Sequence, residues 1–540
     1  MCGIAGAAGI PDRESNVKKM LAILGHRGPD ACGTYSSGNI SIGNTLLKIT
    51  GDMPQPLVRK GALVLNGEVF NFRDLASENG IKTDSDTEVL FSMIEARIKE
   101  GKTPVDSVFS VLSRVNGDYA LAYTCGDELV LARDPVGVKP LFYSIRKGVE
   151  EEKEEEKEEE KEEEKKREEE GAEDGGEKEK PQIYFASEKK ALAVLGRGIE
   201  AGPETGPETG PETEAFPPGT VLGFNTKTGE TVVKSLKIRP PGKRISGEEE
   251  AASCLRAALE KAVELRLTSG AGIAFSGGID SVFVAALAKC INPEVTLYAV
   301  GLPGSHDIAQ AEYAAEAIGM KDSLFVHFLS PEEIEAAVPH VIYATESADP
   351  MKIAIGLPLY IVAKTASENG KRVLLTGQGA DELFGGYRRH ESFLEQGPDV
   401  LDREIYSDIE KISRINLERD DMVTMANAVE LRVPFLDKEV IKTGLAISPE
   451  LKVLKTACGY TRKYVLRKAA EGLLPRELLE KEKKAMQYGT GVQKVLDRLA
   501  RDAGFSKKEG NHIEKYLQRV AGEQGFDFLA AEEKGSYDDS

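Results

Sequence analysis

Cys2 is the first residue of this chain with evident chemistry, because removal of the start methionine would leave its thiol beside a free α-amine. A thiolate attacks acyl carbon, and an α-amine with a pKa of about 7.7–8.0 is well placed to take the proton from the thiol. One residue could then act as nucleophile and base together. Taken alone the position is weak support, since a cysteine can stand second in a chain by chance.

A second set of residues has the spacing of a phosphate-binding turn. The stretch GIAFSGGIDS, residues 272–281, reads as a strand that ends in a glycine turn and enters a helix. Glycines let the backbone approach phosphate oxygens, and a helix N-terminus favours anions, although an isolated match could be a plain turn. The stretch LLTGQGADELFGGY, residues 374–387, follows another predicted strand and adds the carboxylates of Asp381 and Glu382.

The elements that must position these residues form two patterns. Residues 1–145 contain short β-like runs separated by glycine and proline, such as ALVLNGEVFNF, which predict antiparallel strands. LFYSI and IYFASEKKAL read as one hairpin that an insert has enlarged, and AFPPGTVLGF reads as the last β element of this region. From about residue 246 strands alternate with helices, which predicts a parallel α/β sheet, and residues 474–525 look helical.

The charge of the chain is strongly acidic and unevenly distributed. Its 540 residues carry a formal net charge of −20, and residues 150–180 hold 18 Glu and one Asp against eight Lys and Arg. That segment is predicted as either a charged helix or a disordered loop, and the GPET repeat at 202–213 as a surface linker. Binding of nucleic acid requires a basic surface, so the acidic net charge of the chain argues against a nucleic-acid partner.

Cysteine usage and hydropathy indicate a cytoplasmic setting. The six cysteines are scattered without a CxxC pair, which argues against a zinc ribbon or a disulfide framework. No run of about 18 apolar residues predicts a membrane span, and the N-terminus lacks the pattern of a signal peptide. We therefore expect no membrane partner, while a homodimer is compatible with the sequence.

The first region contains several short motifs in a fixed order: MCGIAG, HRGPD, LNGEVFN, TDSDTEVLF and NGDYALAY. In this order they resemble the glutamine amidotransferase domain of the N-terminal-nucleophile class. The resemblance runs through residues 1–145 and resumes at 182–225.

That resemblance implies a role for each matching residue. Cys2 would attack the side-chain amide of glutamine, and Asn66 with the backbone N–H of Gly67 would hold the oxyanion. Asp86 would bind the substrate α-ammonium, and Glu68 is a further glutamine-binding residue. Arg27 and Asp30 of HRGPD are read as structural residues of a tight turn.

In the second region SGGIDS and LLTGQGADELFGGY occur together with AVGLPGSHD and NAVELRVPFLDKEV. This combination resembles the glutamine-dependent asparagine synthetase family. The resemblance implies an α+β, Ntn-hydrolase-like N-terminal domain of stacked antiparallel sheets between helices, at 1–228. An α/β parallel-sheet domain, adenine nucleotide α-hydrolase-like with extra C-terminal helices, would follow at 246–525, and a loose acidic tail at 526–540.

The same resemblance implies a nucleotide site with ATP and Mg²⁺ as cofactors. Asp280 and Asp381 would hold Mg²⁺, whose preference for hard oxygen ligands suits carboxylate and phosphate. The residues implied to bind ATP or its pyrophosphate are Phe275, Ser276, Gly277, Gly278, Asp280, Ser281, Val300, Gly377 and Gln378. In KEKKAMQYGTG, Lys483 could neutralise charge at the α-phosphate, with solvated surface lysines as the alternative.

The sequence departs from the family pattern at three places. Leu46 stands where an arginine usually pairs the glutamine carboxylate, with Lys48 two residues on, and leucine cannot replace a bidentate arginine. Gln378 replaces a common glutamate, and an amide cannot accept a proton as a carboxylate does. Lys352 and Ala354 occupy positions where some members have Thr and Arg near aspartate.

The sequence thus predicts a glutamine-hydrolysing amide ligase with glutamine, ATP and an acid as substrates. Ammonia released at Cys2 would displace AMP from an acyl-adenylate, most plausibly that of the aspartate β-carboxylate. Two alternatives stay open: a different carboxylic acid, or a β-lactam-synthetase-like cyclase, against which Cys2 argues. A scaffold protein without catalysis and a tRNA-thiolating enzyme fit less well, because SGGIDS and Asp381 are intact and no cysteine pair is present.

Overall fold

The structure, a computed structural model, describes residues 2–146, 181–195, 213–240, 242–457, 459–480 and 490–525. The acidic stretch 150–180, most of the GPET repeat, Lys483 and the tail after residue 525 lie outside the described residues. The predictions made for those segments are therefore not tested by the structure.

The N-terminal half is built from twelve short strands among the residues described. Their bounds are β1 (Cys2–Ala8), β2 (Ala31–Ser37), β3 (Ile40–Leu46), β4 (Leu57–Val58), β5 (Ala62–Val69), β6 (Gly117–Cys125), β7 (Glu128–Arg133), β8 (Phe142–Arg146), β9 (Gln182–Ala186), β10 (Glu214–Ala215), β11 (Thr220–Asn225) and β12 (Thr231–Ser235). They form two antiparallel six-stranded sheets, in the orders β10-β8-β9-β1-β3-β2 and β12-β11-β7-β6-β5-β4. The predicted antiparallel strands are confirmed.

The two sheets stack face to face with helices outside them. Ile4 and Ile42 of the first sheet share an apolar core with Val64 and Leu131 of the second. The helices of this half are α1 (Arg13–Ile23), α2 (Phe72–Glu78), α3 (Asp86–Lys99), α4 (Pro104–Leu112) and α5 (Lys189–Ala193). Helix α1 packs on the outer face of the first sheet, and α3 and α4 on that of the second. The four-layer arrangement matches the predicted N-terminal fold class.

The enlarged hairpin is confirmed, because β8 pairs with β9 from Phe142↔Ala186 to Arg146↔Gln182. The sequence reading missed one strand: β12 follows a TKTG turn and pairs with β11, so the second sheet continues to Ser235. Only the β11 side of β12 is paired, and Val233 is exposed on this edge strand. No residue of β12 is buried, so the strand lacks the apolar alternation that would have made it visible in the sequence.

The C-terminal half is organised around a parallel sheet. Its strands are β13 (Gly272–Ala274), β14 (Thr296–Gly301), β15 (Leu324–Phe328), β16 (Val373–Leu375) and β17 (Glu430–Arg432), in the order β15-β14-β13-β16-β17, and β18 (Val453–Thr456) with β19 (Gly459–Arg462) forms a separate hairpin. The alternation of strand and helix from residue 246 therefore gives the predicted α/β fold, since a parallel strand needs a crossover to return to the same edge.

Helices cover this sheet and extend beyond it. They are α6 (Glu248–Arg266), α7 (Ile279–Ile291), α8 (His306–Ala317), α9 (Pro331–Thr345), α10 (Pro350–Glu368), α11 (Ala380–Leu383), α12 (Arg389–Gln396), α13 (Pro398–Ile412), α14 (Glu418–Met425), α15 (Lys438–Ala446), α16 (Pro449–Lys452), α17 (Tyr464–Ala469), α18 (Arg476–Glu480), α19 (Val492–Asp502) and α20 (His512–Glu523). The described part of 474–525 is mostly helical, as predicted. Within the described ranges, none of these helices combines the length and apolarity that crossing a membrane requires.

Candidate active sites

Cys2 lies at the start of β1, at a point where residues of the two sheets contact each other. It begins β1 opposite Leu46 of β3, and its side chain is buried. Its backbone N–H donates to Asn66 Oδ1 of the second sheet at 3.2 Å. The Asn66 Nδ2 atom is buried and has no hydrogen-bond partner in the structure. A buried amide donor without an acceptor is costly unless a ligand supplies one, so Asn66 is suited to hold an oxyanion beside Cys2.

The Cys2 thiol is held mainly in its neutral form by its surroundings. Burial raises the pKa of this thiol, whereas the positive N-terminus and the backbone N–H of Leu47 lower it. The negative charges of Asp86 and Glu430 raise it further. A base at the N-terminal amine is therefore the natural partner for its deprotonation.

Two buried carboxylates, Glu68 and Asp86, lie near each other in the glutaminase site. Asp86 begins α3, and its Oδ2 accepts from the backbone N–H of Val69 at 2.9 Å. Burial raises the pKa of Glu68 to about 8, with Arg432 opposing the rise and Asp86 adding to it. Burial also raises the pKa of Asp86. Carboxylates crowded in this way favour a cation, so the prediction that Asp86 binds the glutamine α-ammonium has a physical basis, and Glu68 stays a predicted glutamine-binding residue.

Leu46 and Lys48, the two positions at which the arginine of the family pattern is missing, lie in different surroundings. The Leu46 side chain is buried on the same sheet face as Cys2, because directly paired strand residues share a face. The Lys48 ammonium is 43% exposed and pairs with Asp52.

The residues predicted to bind ATP lie together at the carboxyl ends of neighbouring strands. Phe275 follows β13, and its N–H donates to the carbonyl of Tyr298 on β14 at 2.8 Å. The turn from Ser276 to Ser281 leads into α7, which begins at Ile279. Val300 lies on β14, and Gly377 and Gln378 follow β16. The parallel sheet therefore gathers residues that are up to about a hundred positions apart in the chain.

The loops after β13 and β16 touch each other at Gly377. A Cβ atom at this position would lie 2.7 Å from Asp280 Cβ, so only glycine allows the contact. Asp280 and Asp381 both bind the ammonium of Lys463: Nζ lies 2.8 Å from each Asp280 oxygen and 2.6 Å from Asp381 Oδ1. The two carboxylates thus converge on one cationic group.

Lys463 is the residue of this site that the sequence reading missed. Its side chain is buried, and at Gly386 a Cβ atom would lie 2.0 Å from Asp381 Oδ1 and 2.3 Å from Lys463 Cε. One signal was available: residues 452–468 contain six Lys and Arg and no acidic residue, in a chain of net charge −20. The role predicted for Lys483 stays a prediction, while Lys463 is a second candidate for it inside the described site.

The donor set fits a magnesium ion bound together with phosphate. Asp280 and Asp381 supply hard oxygens that already share one cation, which is the arrangement a nucleotide-bound Mg²⁺ uses. Within the described ranges no cluster of three or more His, Cys, Asp or Glu forms a separate metal site. Phosphate oxygens and water would complete the coordination of the ion.

A cavity of about 600 Å³ opens beside this cluster. Asp381 and Lys463 line it together with Arg462, Arg467 and Lys468. Its size suits a small organic molecule, and its basic lining suits phosphate. Two residues were predicted to lie near the acid substrate. Lys352 lies half-buried in the first turn of α10, and Ala354 is buried.

The two halves contact each other through ion pairs of the HRGPD motif, one of them buried beside Cys2 and one exposed. Arg27 donates from Nε to the Cys2 carbonyl at 3.2 Å, and its Nη2 lies 2.5 Å from Asp421 Oδ2 on α14. Asp30 pairs with Arg372, which precedes β16. The HRGPD motif therefore anchors the N-terminal site to the second half, in keeping with a structural role for Arg27 and Asp30.

Comparisons with known proteins agree with this architecture. Residues 1–202 match a family model described as a glutamine amidotransferase domain, and residues 254–395 and 391–537 match one described as asparagine synthase. A protein of Methanocaldococcus jannaschii is 33% identical over 96% of this chain and 99% of its own length.

Two further relatives carry names that describe their activity. Glutamine-hydrolyzing asparagine synthetase 1 of Bacillus subtilis is 28% identical over 89% of this chain and 86% of its own length. Glutamine-hydrolyzing asparagine synthetase B of Escherichia coli is 26% identical over 99% of this chain and 93% of its own length. With both domain models matched in order and relatives aligned along nearly the whole chain, this protein belongs to the asparagine synthase family of glutamine-dependent amide ligases.

Proposed function

We propose that this chain is a glutamine-hydrolysing asparagine synthetase. Glutamine would lose its side-chain amide at Cys2, and aspartate would be activated by ATP at the loops after β13 and β16. The products are glutamate, asparagine, AMP and pyrophosphate. The names of the relatives from Bacillus subtilis and Escherichia coli support this assignment.

In the first half-reaction, the Cys2 sulfur attacks the amide carbon of glutamine after its proton passes to the α-amine. The Asn66 amide, whose Nδ2 is buried without a partner, stabilises the oxyanion together with the Gly67 N–H. Ammonia leaves and a thioester remains, which water hydrolyses to glutamate. Glu68 and Asp86 hold the substrate α-ammonium throughout.

In the second half-reaction, the aspartate β-carboxylate attacks the α-phosphate of ATP and pyrophosphate leaves. Asp280 and Asp381 would hold Mg²⁺, which supplies charge neutralisation for the phosphate oxygens when it is bound. Lys463, held between these carboxylates, adds a positive charge that can stabilise the negative charge developing on the phosphate. Ammonia then displaces AMP from the acyl-adenylate.

Ammonia must travel between the two sites without being lost. It is mostly protonated in water at neutral pH, so we expect an internal passage between the halves. Leu47, whose N–H bonds the Cys2 thiol, packs its side chain on Met425 of α14, with Ile49 and Ala428 around them. This apolar contact beside the nucleophile is a fitting start for such a passage, because it offers no proton donor.

The proposal rests on two sites in one chain. Asp280 and Asp381 converge on Lys463 in one half, and in the other half the buried Cys2 lies beside the unpartnered Asn66 Nδ2. The test is pyrophosphate release from ATP with glutamine and a panel of carboxylic acids. Aspartate should give the highest kcat/KM and yield asparagine. No release above background with aspartate would contradict the assignment.

A different acceptor acid is the second candidate, and Gln378 and Lys352 favour it. In the same panel, an acid other than aspartate would then give the highest rate. A reducing, cytoplasmic location is also part of the proposal, supported by the five described cysteines, all of which are free thiols. A homodimer remains a proposal that the sedimentation of the purified chain can test.

A further inference from the structure

We propose that Arg432, a residue of the synthetase half, is a positioning residue for glutamine in the other half and couples the two sites. Its guanidinium stabilises the charge of Glu68, while its backbone carbonyl holds the loop that receives ATP. The inference rests on the proposed function and concerns how the two half-reactions influence each other.

The Arg432 side chain is fixed on three sides within the interface between the halves. It is buried, and its Nη2 lies 3.2 Å from Glu68 Oε2. Its Nε donates to Glu430 Oε1 at 2.6 Å, and its Nη1 donates to the carbonyl of Arg266 at 2.9 Å. The two hydrogen bonds fix the orientation of the planar guanidinium, and its Nη2 faces the Glu68 carboxylate as an ion pair that has no hydrogen-bond geometry.

Glu68 depends on this cation because its other neighbours are unfavourable for a negative charge. It is buried, and the carboxylates of Asp86 and Glu430 act on it. Arg432 is the strongest of the influences that favour its ionised form, ahead of the hydrogen bond from Thr50. Without Arg432, Glu68 would keep its proton over a wider pH range, which weakens its attraction for the α-ammonium of glutamine.

The backbone of the same residue contacts the nucleotide loop. Arg432 is the last residue of β17 and pairs with Leu375 of β16. Its carbonyl accepts from the N–H of Thr376 at 3.1 Å, and Thr376 directly precedes Gly377 and Gln378. A shift of this loop on nucleotide binding would therefore reach the Glu68 carboxylate through a single residue.

The interface also supplies a matched control, Arg266. The guanidinium carbons of Arg266 and Arg432 lie 4.1 Å and 5.3 Å from the centroid of the Phe70 ring. Arg266 is equally buried, but its close partner is Asp437, at 2.5 Å, instead of Glu68. Replacing either arginine removes a buried charge from the same interface, while only Arg432 contacts the glutamine-binding carboxylate.

The experiment compares Arg432→Met with Arg266→Met in the full-length protein. Glutaminase KM and kcat are measured with and without ATP plus aspartate, and pyrophosphate release is measured with ammonia in place of glutamine. We expect Arg432→Met to raise KM for glutamine about tenfold or more, with kcat changed less than about threefold. The effect of ATP plus aspartate on this KM, about fivefold or more in the parent, should disappear.

Arg432→Lys serves where the methionine variant fails to fold, since it retains the charge but lacks the planar guanidinium that spans Glu430 and the Arg266 carbonyl. A double-mutant cycle with Glu68→Gln should show non-additive effects on KM, because both changes break one contact. An equal rise in KM for Arg266→Met, additive effects in the cycle, or a parent enzyme whose glutaminase ignores ATP and aspartate would overturn the inference. Failure of the proposed function looks different: the parent would release no pyrophosphate with ammonia, ATP and aspartate.

Discussion

The glutaminase site and the adenylation site are positioned by different kinds of backbone. Cys2, Asn66 and Glu68 lie within strands of two stacked antiparallel sheets, where ladder hydrogen bonds fix each residue. Asp280 and Asp381 lie beyond the ends of parallel strands, where turns and short helices carry them. The first site is therefore rigid before any substrate arrives, whereas the second depends on contacts between loops.

The electrostatics of the two sites differ in the same way. In the glutaminase site Glu68 and Asp86 crowd each other, and burial raises the pKa of both. In the adenylation site Lys463 offsets one of the two negative charges of Asp280 and Asp381. A cationic substrate group would stabilise the ionised carboxylates of the first site, whereas the second site holds its own cation between two carboxylates.

The largest expected effect is the loss of glutamine hydrolysis while ammonia-dependent synthesis is retained. Cys2→Ala should lower glutamine hydrolysis by at least about a thousandfold, because it removes the nucleophile. Synthesis driven by added ammonia should remain near the parent rate, measured as pyrophosphate release. Cys32→Ala, which removes an exposed free thiol of the same half, should leave both activities unchanged. Loss of ammonia-dependent synthesis in Cys2→Ala would show that the sites are not independent.

Lys463→Met tests the resident cation of the second site. Pyrophosphate release should fall about 100- to 1,000-fold, the usual loss for one group that stabilises charge in the transition state. Glutaminase activity without ATP should be unchanged, measured as glutamate formation. Lys455→Met, on the exposed β18 strand nearby, is the control that should keep both activities. Full activity in Lys463→Met would transfer the role to another cation, with Lys483 as the first candidate.

Gly386→Ala tests how closely the loops must approach. Its Cβ would fall 2.0 Å from Asp381 Oδ1, so the Asp381–Lys463 pair must shift. We expect kcat/KM for ATP to fall about 10- to 100-fold, since displacement of reacting groups by about 1 Å has effects of this size. Gly270→Ala, where the added Cβ meets no atom within 4 Å, should behave like the parent. The glutaminase reaction should not respond to either change.

The smallest expected effect is a pH dependence of glutamine binding. Burial raises the pKa of Glu68 to about 8, so this carboxyl is mostly neutral at pH 7 and ionises as the pH rises. Because the ionised form attracts the α-ammonium, KM for glutamine should fall about three- to tenfold between about pH 6.5 and 8.5.

Glu68→Gln should flatten that profile, and the measurement is KM at fixed ionic strength. The same rise in pH that strengthens glutamine binding should lower the stability of the fold. The folded-state pKa of Glu68 lies above its unfolded value, so ionisation of this group weakens the fold as pH rises through 8. The variant should therefore lose less thermal stability than the parent over this range. A KM for glutamine that rises with pH in the parent would contradict the assignment of Glu68.

Much of the fold could be predicted from local patterns. The hairpin of β8 and β9 was predicted across its acidic insert, and β13, β14 and β16 were predicted from short apolar runs, because burial on both faces leaves such runs in the sequence. Strand β12 was missed, since it lies at a sheet edge with an exposed valine. The motifs for the nucleophile and for the phosphate turn were also visible, because each is contiguous.

The residues that join separate segments could not be predicted in the same way. Lys463 lies 183 positions from Asp280, and no local pattern reports that their side chains meet. Arg432 lies within the motif NAVELRVPFLDKEV, but its contact with Glu68 depends on how the two halves pack. A basic stretch without acidic residues was the one signal for Lys463, and it does not say which lysine enters the site.

The sequence by itself determined the two chemistries, because a nucleophile at the chain start and a glycine turn before a helix are local features of a few adjacent residues. It also determined the order of strands and helices, through apolar periodicity and glycine placement. Only the tertiary structure decided which charges share a site. Buried ion pairs such as Lys463 with Asp280 and Asp381, or Arg432 with Glu68, form when distant segments exclude water together, and that depends on packing across the whole chain.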